Sequence, residues 1–333
     1  MTVKMKKKSF ILFFCVLTLS SLLFVNAQSS AVNLTVSTDK QAYYGFSAVS
    51  ISGTLQYNGN SADDGLVGLQ VQGSDGSTLV LRALRTGTSN PSLLPAKIVS
   101  AYLSDASGNQ QTSIQVGALG YFTINLSNIN NTQLSLLVSI NIYDSSGVPI
   151  GQVYEPCSLT ANQTAPATLS LQIPSWARGE SAYGYADVFS NLPSKGGVPI
   201  CCEQSFEFSI TGGQNNVADI LSSNSDQGAY NLTFRLPTMG PVDCNYTVYA
   251  TSLYSGVTAI KSTSFNCQFG DFTHSGSVDP QDLFIFAESY IAYSENNSNY
   301  NSICDMNQDG KIDSTDFFLF VNCYITYWSA CQN

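Results

Sequence analysis

Two stretches near the end of the chain place oxygen-bearing side chains at the spacing a divalent cation needs. The first runs Asp271, Thr273, Ser275, Ser277, Asp279, Asp282; the second runs Asp305, Asn307, Asp309, Lys311, Asp313, Asp316, 34 residues later. These are positions 1, 3, 5, 7, 9 and 12 of a twelve-residue loop. Side-chain oxygens at 1, 3, 5, 9 and 12, with the backbone carbonyl at 7, suit Ca2+. Gly276 and Gly310 stand at position 6, where such a loop turns sharply, and apolar Val278 and Ile312 at position 8 could pair as a short strand. The second loop carries a carboxylate or an amide at every position where a side chain is the ligand. In the first, Thr273 and Ser275 offer only hydroxyls, so the second loop is expected to hold calcium more tightly. Residues 268–333 contain nine acids against one lysine, Lys311, and seven of those acids lie inside the two loops. Carboxylates so crowded repel one another, and the segment is expected to need a cation to keep its shape.

The elements that must hold these loops are also written twice. Asp282–Tyr293 aligns without a gap on Asp316–Tyr327, with Phe284/Phe318, Phe286/Phe320, Tyr290/Tyr324 and Ile291/Ile325 shared. Apolar residues at 283, 286, 287, 290 and 291 recur at helical spacing. Each unit is therefore a loop followed by a helix, and the two units are expected to bury these faces against each other.

That duplicated loop-plus-helix pattern resembles the dockerin module, over about residues 268–333. The resemblance implies calcium binding and docking onto a cohesin-like partner or another surface protein. It also implies partner-reading residues at loop positions 10 and 11, here Ser314 and Thr315, with Pro280 and Gln281 in the first repeat. The basic residues that often follow on such a helix are replaced by Phe320-Val-Asn-Cys323.

Upstream, Lys4, Lys6, Lys7 and Lys8 precede an apolar run from Phe10 to Val25, ending in Val25-Asn26-Ala27. Residues 1–27 read as a secretory signal, with a mature chain starting at Gln28 and no further span long enough to cross a membrane. Without the four lysines, the net charge falls from −10 to −14. Nucleic acid is disfavoured as a partner, since phosphate binding needs clustered cations. Eight cysteines remain (157, 201, 202, 244, 267, 304, 323 and 331), an even number that reads as disulfides in an exported chain, with a Cys267–Cys331 clasp as one candidate.

The body of the chain reads as mainly β. Val32/Leu34/Val36, Val49/Ile51, Leu136/Val138/Ile140/Ile142, Phe206/Phe208/Ile210 and Tyr230/Leu232/Phe234 alternate at period two, with turn signals at Tyr57-Asn-Gly-Asn60 and Ser74-Asp-Gly-Ser77. The expectation is two related immunoglobulin-like β-sandwiches, residues 28–160 and 165–267, joined at the polar Thr160–Ala165, then the small helical module. Gly120–Leu126 and Gly228–Phe234 look alike, as do Ser146-Gly-Val148 and Ser255-Gly-Val257. The arrangement resembles modular surface proteins of archaea.

Little here suits catalysis. The single histidine, His274, sits inside the first loop, so a Ser-His-Asp or Cys-His site has no separate imidazole. Glu203 and Glu207 are four apart, a thin basis for a glycosidase, which needs two carboxyls across a cleft. Trp176, near Tyr183 and Tyr185, could stack on a sugar but suits a sandwich core better. The expectation is a non-enzymatic, secreted or cell-surface protein. It uses β modules for adhesion or scaffolding and a calcium-stabilised tail for tethering or docking. A carbohydrate-binding subunit or accessory of a polysaccharide-degrading complex, with polysaccharide as partner, is the alternative.

Overall fold

In a computed structural model of the chain, the described residues are 31–44, 47–89, 91, 94–213, 225–236, 245–268, 270–273, 275, 278–297, 299–306 and 310–331. The expected signal segment lies outside them. In chain order the first strands are β1 (Val32–Leu34), β2 (Ser37–Thr38), β3 (Ala42–Tyr44), β4 (Ala48–Tyr57), β5 (Asn60–Ser61), β6 (Leu66–Gly73) and β7 (Thr78–Arg85). Next come β8 (Ala96–Ser104), β9 (Ser113–Gln115), β10 (Leu119–Asn128), β11 (Leu134–Tyr143), β12 (Pro149–Leu159), β13 (Thr164–Gln172), β14 (Glu180–Phe189) and β15 (Gln204–Thr211). The last strands are β16 (Ser225–Asp226), β17 (Ala229–Arg235), β18 (Asn245–Tyr254) and β19 (Val257–Gln268), followed by helices α1 (Pro280–Ser294) and α2 (Ser314–Cys331).

The chain is mainly β, as its alternation requires, but the strands do not pair within the expected boundaries. One sheet orders β1-β4-β17-β16, with β2 and β5 also on β4, and a second orders β3-β19-β18-β6-β7. These two sheets share a core in which Val49, Ile51 and Leu55 of β4 meet Val67, Leu69, Val248, Ala250 and Phe265. The other pair, β13-β10-β8 and β12-β11-β14-β15-β9, closes over Phe122, Ile124, Val138, Ile140, Val188 and Phe208. Strands from both ends of the β region thus build the outer sandwich, and residues 96–211 form an inner one inserted between β7 and β16.

The expected modules 28–160 and 165–267 are corrected accordingly. Thr160–Gln163 is a turn within the inner sandwich, closed by the Gln163 N–H donating to the Thr160 carbonyl at 3.2 Å and Asn162 N–H donating to the Asn130 carbonyl at 3.0 Å. It links β12 to β13 and is not a linker. Period two tells which residues face a core, and says nothing about which strand lies alongside; β4 and β17, about 180 residues apart, have the same alternation as neighbours in a hairpin.

The two sandwiches nevertheless share one topology. In each, a short strand runs parallel to the last strand: β3 on β19, β9 on β15. Reading inward from there, β3-β19-β18-β6-β7 matches β9-β15-β14-β11-β12, and β1-β4-β17 matches β8-β10-β13. This matching also corrects the expected landmarks. Gly120–Leu126 lies in β10, whose counterpart is β4, whereas Gly228–Phe234 leads into β17, whose counterpart is β13. Both are core strands entered through glycine, which is enough to make them look alike.

Where the sandwiches join, edge strand β7 lies against β11, β12 and β14. Its unpaired backbone is met by side chains of the inner sheet. The Leu81 N–H donates to Asn141 Oδ1 (2.7 Å), Asn141 Nδ2 donates to the Leu79 carbonyl (3.4 Å), and the Ala83 N–H donates to Asp187 Oδ1 (2.9 Å). Covering an edge in this way removes a site for unwanted strand pairing. Leu81, Ala83, Phe189 and Leu192 form a small core there. A side chain at Gly68 would meet Phe189 at 2.9 Å, so the close approach of β6 needs glycine. Arg82, 3% exposed, donates from Nε and Nη2 to the Glu203 carboxylate and lies 3.4 Å over the Tyr185 ring.

Candidate functional site

Both calcium-type loops are built from the helix starts that follow them. Asp279 is the N-cap of α1: its carboxylate accepts the Gln281 N–H at 2.7 Å, Pro280 fills the first turn, and Asp282 reaches back to the Asp279 N–H at 2.8 Å. The same box recurs at α2, where Asp313 accepts the Thr315 N–H (2.7 Å) and Asp316 accepts the Asp313 N–H (2.9 Å). Loop positions 9 and 12 are therefore also the capping residues of a helix. The signal for this, an acid followed three residues later by another at the start of an apolar run, stands in the sequence beside the metal pattern.

The position-12 carboxylates also close the loops. Asp282 Oδ1 accepts the Thr273 N–H at 2.9 Å, and Asp316 Oδ1 accepts the Met306 N–H at 2.8 Å. At position 1, Asp271 accepts the Ser275 N–H (3.0 Å) and the Thr273 hydroxyl (3.2 Å), while Asp305 accepts the Gly310 N–H (2.9 Å). Asp271, Asp282 and Asp316 are buried at 2%, 0% and 0% exposure. Buried carboxylates fixed by backbone amides, with hydroxyl and carbonyl oxygens nearby, form a hard-oxygen donor set that fits Ca2+. Ser277, Asn307, Asp309 and His274 lie outside the described residues. Among the described residues, no three His, Cys, Asp or Glu side chains converge to hold a metal.

The loops and helices share one core. Phe272, Phe286 and Phe320 stack with ring centroids 5.5 to 6.3 Å apart. Val278 and Ile312 at position 8 are buried in that core together with Leu319, Met306 and Cys304, and neither lies in a strand. The expected helix–helix face is corrected here. Phe286 is buried, but Leu283, Tyr290 and Ile291 are 37%, 40% and 55% exposed, and the covered side of α1 runs through Asp282, Phe286 and Ser289. The helix must turn its capping carboxylate inward to close the loop, which rotates the 283/287/290/291 stripe outward.

That stripe lines an open groove of about 350 Å³ with Phe317 and Ser314 of α2. Ser314 thus joins the apolar side chains of the other repeat, and Thr315 beside it is exposed. The repeat-related Phe284 and Phe318 are 68% and 66% exposed. The spacing of the stripe was legible, its direction was not.

Elsewhere, Trp176 packs partly buried against the inner core. Glu203 is held by Arg82 and Glu207 is exposed on β15, so the two do not form a pair. The expectation of disulfides is corrected for Cys157, Cys201, Cys202 and Cys304, which are free thiols; an even count gives parity, not proximity. Cys244 and the Cys331 side chain lie outside the described residues, as does the Cys267–Cys331 clasp. Burial pushes the Cys304 thiol up to about 11. No helix among the described residues is long and apolar enough to cross a membrane.

Comparison with known proteins bears on these parts unequally. No curated protein matches the chain. Among solved structures, the C-terminal domain of wzt is 14% identical at a TM-score of 0.31, covering 40% of this chain and 85% of that one. An alkylpurine DNA glycosylase AlkC from Pseudomonas fluorescens is 15% identical at a TM-score of 0.26, covering 35% and 30%. A β-glucosidase from Listeria innocua is 12% identical at 0.25, covering 36% and 16%. Likenesses this slight support no reading of the β region. For the helical part, a family model described as the Dockerin type I domain matches residues 269–325. The two capped loops, their helices and the phenylalanine core are thus a dockerin type I domain, carried C-terminal to a β-rich region.

Proposed function

We propose that this is a non-enzymatic, exported protein whose dockerin domain docks it onto a cohesin-like partner through the exposed stripe of α1. The observation that supports this reading is the groove formed by Leu283, Ala287, Tyr290 and Ile291 with Ser314 and Phe317, an apolar face on a domain whose family docks. Its lining is apolar apart from Ser314, so contact there relies on burial of Leu, Ile and Tyr side chains. Calcium is held by Asp305, Asn307, Asp309, the Lys311 carbonyl, Asp313 and Asp316 in the second loop. The weaker set is Asp271, Thr273, Ser275, the Ser277 carbonyl, Asp279 and Asp282. The ion neutralises the converging carboxylates and so stabilises the helix starts that present the stripe. The two sandwiches, read as immunoglobulin-like, serve as an adhesive or scaffolding body. Trp176, packed on the inner core, gives no support to a sugar-stacking platform.

The test is binding of the full chain to immobilised type I cohesin modules in calcium and in chelator. Retention in calcium, loss in chelator and loss in Ile291→Glu, with the calcium affinity of that variant unchanged, supports the reading. Equal retention of wild type and Ile291→Glu places the contact elsewhere.

A further inference from the structure

The join between the sandwiches contains a carboxyl group with one oxygen unaccounted for. Asp187 on β14 is 0% exposed. Its Oδ1 accepts the Ala83 N–H, but Oδ2 has no hydrogen-bond partner. Ser139, directly opposite on β11, has a buried Oγ that is likewise unpartnered. The nearby cation is hydrogen-bonded elsewhere: Arg82 directs both Nε and Nη2 to Glu203. An ionised Asp187 would place a second negative charge beside Glu203 around one guanidinium, with a bare oxygen where water has no access. Burying a charged, unsatisfied oxygen is among the costliest arrangements a fold can contain. A proton on Oδ2 removes the charge and converts the orphan acceptor into a donor, with the Glu203 carboxylate beside it to accept.

We infer that Asp187 is carried through neutral pH as a carboxylic acid whose proton is directed at Glu203, so that the join between the two sandwiches weakens as pH rises. Burial is the chief cause that lifts its carboxyl well above the usual range, and the Glu203 charge adds to it; Arg82 and the Ala83 N–H oppose it less. The other titratable groups at the join are Cys201, beside Asp187, and Tyr143 on β11 and Tyr185 on β14, whose rings lie against Arg82. Burial holds Tyr143 up at about 12 and is the chief cause that raises Tyr185 and Cys201, so these stay neutral through the same window. The sign follows. A carboxyl whose folded value exceeds its unfolded value contributes fully at pH below the unfolded value, about 4. Its contribution is lost as pH climbs to the folded value, by up to about tenfold in the folding equilibrium constant per pH unit.

The experiment compares urea unfolding of the full chain, wild type and Asp187→Asn, at constant saturating calcium from pH 5 to 9. It is read with the carboxyl ¹³C resonance of Asp187 in the wild type. Asparagine keeps an oxygen for the Ala83 N–H and offers an N–H to Glu203 without ionising. The folding constant of the variant relative to wild type should therefore rise about tenfold per pH unit until the folded value is passed. The Asp187 resonance should stay at its protonated position at pH 6. Parallel pH profiles, or a resonance that titrates near pH 4, overturn the inference. If the variant does not fold, the wild-type resonance decides alone.

Discussion

Replacing Asp316 by alanine should unfold the dockerin domain whenever calcium is withheld. The carboxylate is fully buried and accepts two backbone amides, Met306 at 2.8 Å and Asp313 at 2.9 Å. Hydrogen bonds to a charged group contribute about 1.5–3 kcal/mol each, so losing both costs about 3–6 kcal/mol. A domain the size of residues 269–325 has about 3–9 kcal/mol of stability in total. The loss therefore takes most or all of it, and calcium can compensate only in part because the variant also lacks the position-12 ligand. The assay is amide hydrogen exchange of α1 and α2 in the full chain, with calcium and with chelator. In chelator, protection in both helices should fall to that of an unfolded chain, while β10, β11 and β14 keep theirs. Unchanged protection in α2 would refute the reasoning, because it would show that the capping carboxylate does not hold the helix start.

Asp305→Ala should weaken the tightest calcium-binding event seen by calorimetry more than Asp271→Ala does, since the first loop has hydroxyls at positions 3 and 5; equal or reversed effects would count against that ranking. Glu203→Gln should cost about 3–5 kcal/mol in urea unfolding, because it leaves the buried Arg82 charge unpaired. The double variant Arg82→Met/Glu203→Leu should recover most of that loss, and a double cost equal to the sum of the singles would contradict it. Trp176→Ala should lower stability through lost packing on the inner core, by less than the ~3–5 kcal/mol of a fully buried tryptophan because the side chain is only partly buried. It should leave any retention on insoluble polysaccharide unchanged, whereas specific retention abolished by this variant would restore the carbohydrate reading.

The sequence was most legible where local spacing and chemistry coincide. Twelve-residue spacing located the two loops and the acids that close them onto their helices, Asp279, Asp282, Asp313 and Asp316, before any fold was known. Helical spacing likewise located the 283/286/287/290/291 stripe. What spacing could not tell was which way the stripe faces, because Phe286 belongs to both the inward and outward sides and the choice is made by Asp282 turning in to cap its own helix. In the β region, Val49, Ile51, Leu232 and Phe234 were legible as core residues. That they share a single sheet was not, because β4 and β17 meet only after the inner sandwich has been threaded between them. Arg82, Asn141 and Asp187 gave no signal at all. Each is an isolated polar residue in an apolar run, and its role exists only against a strand from the other sandwich.

That threading has a kinetic consequence. The inner sandwich, residues 96–211, pairs its strands among themselves and can form as soon as it is synthesised. The outer one cannot: the Ser50 side chain on β4 meets Thr233 on β17, 183 residues later, and β6 must wait for β18. Contacts so distant in sequence are slow to form and leave strand edges open meanwhile. The early exposed edge is β7, and the inner sheet already carries the side chains that cover it, Asn141 and Asp187. A formed inner sandwich therefore offers a template on which β7 can be held until β17–β19 arrive. This gives a physical reason for buried polar groups at the join: they guide a waiting edge to its place at the cost of a carboxyl that must stay protonated. It also accounts for the insertion point, since the β7–β17 connection that admits the inner sandwich corresponds to the four-residue Thr160–Gln163 turn of the inner one. A turn at the end of two strands can be lengthened to a whole domain without breaking a strand pair, because its ends remain as close as the pair requires.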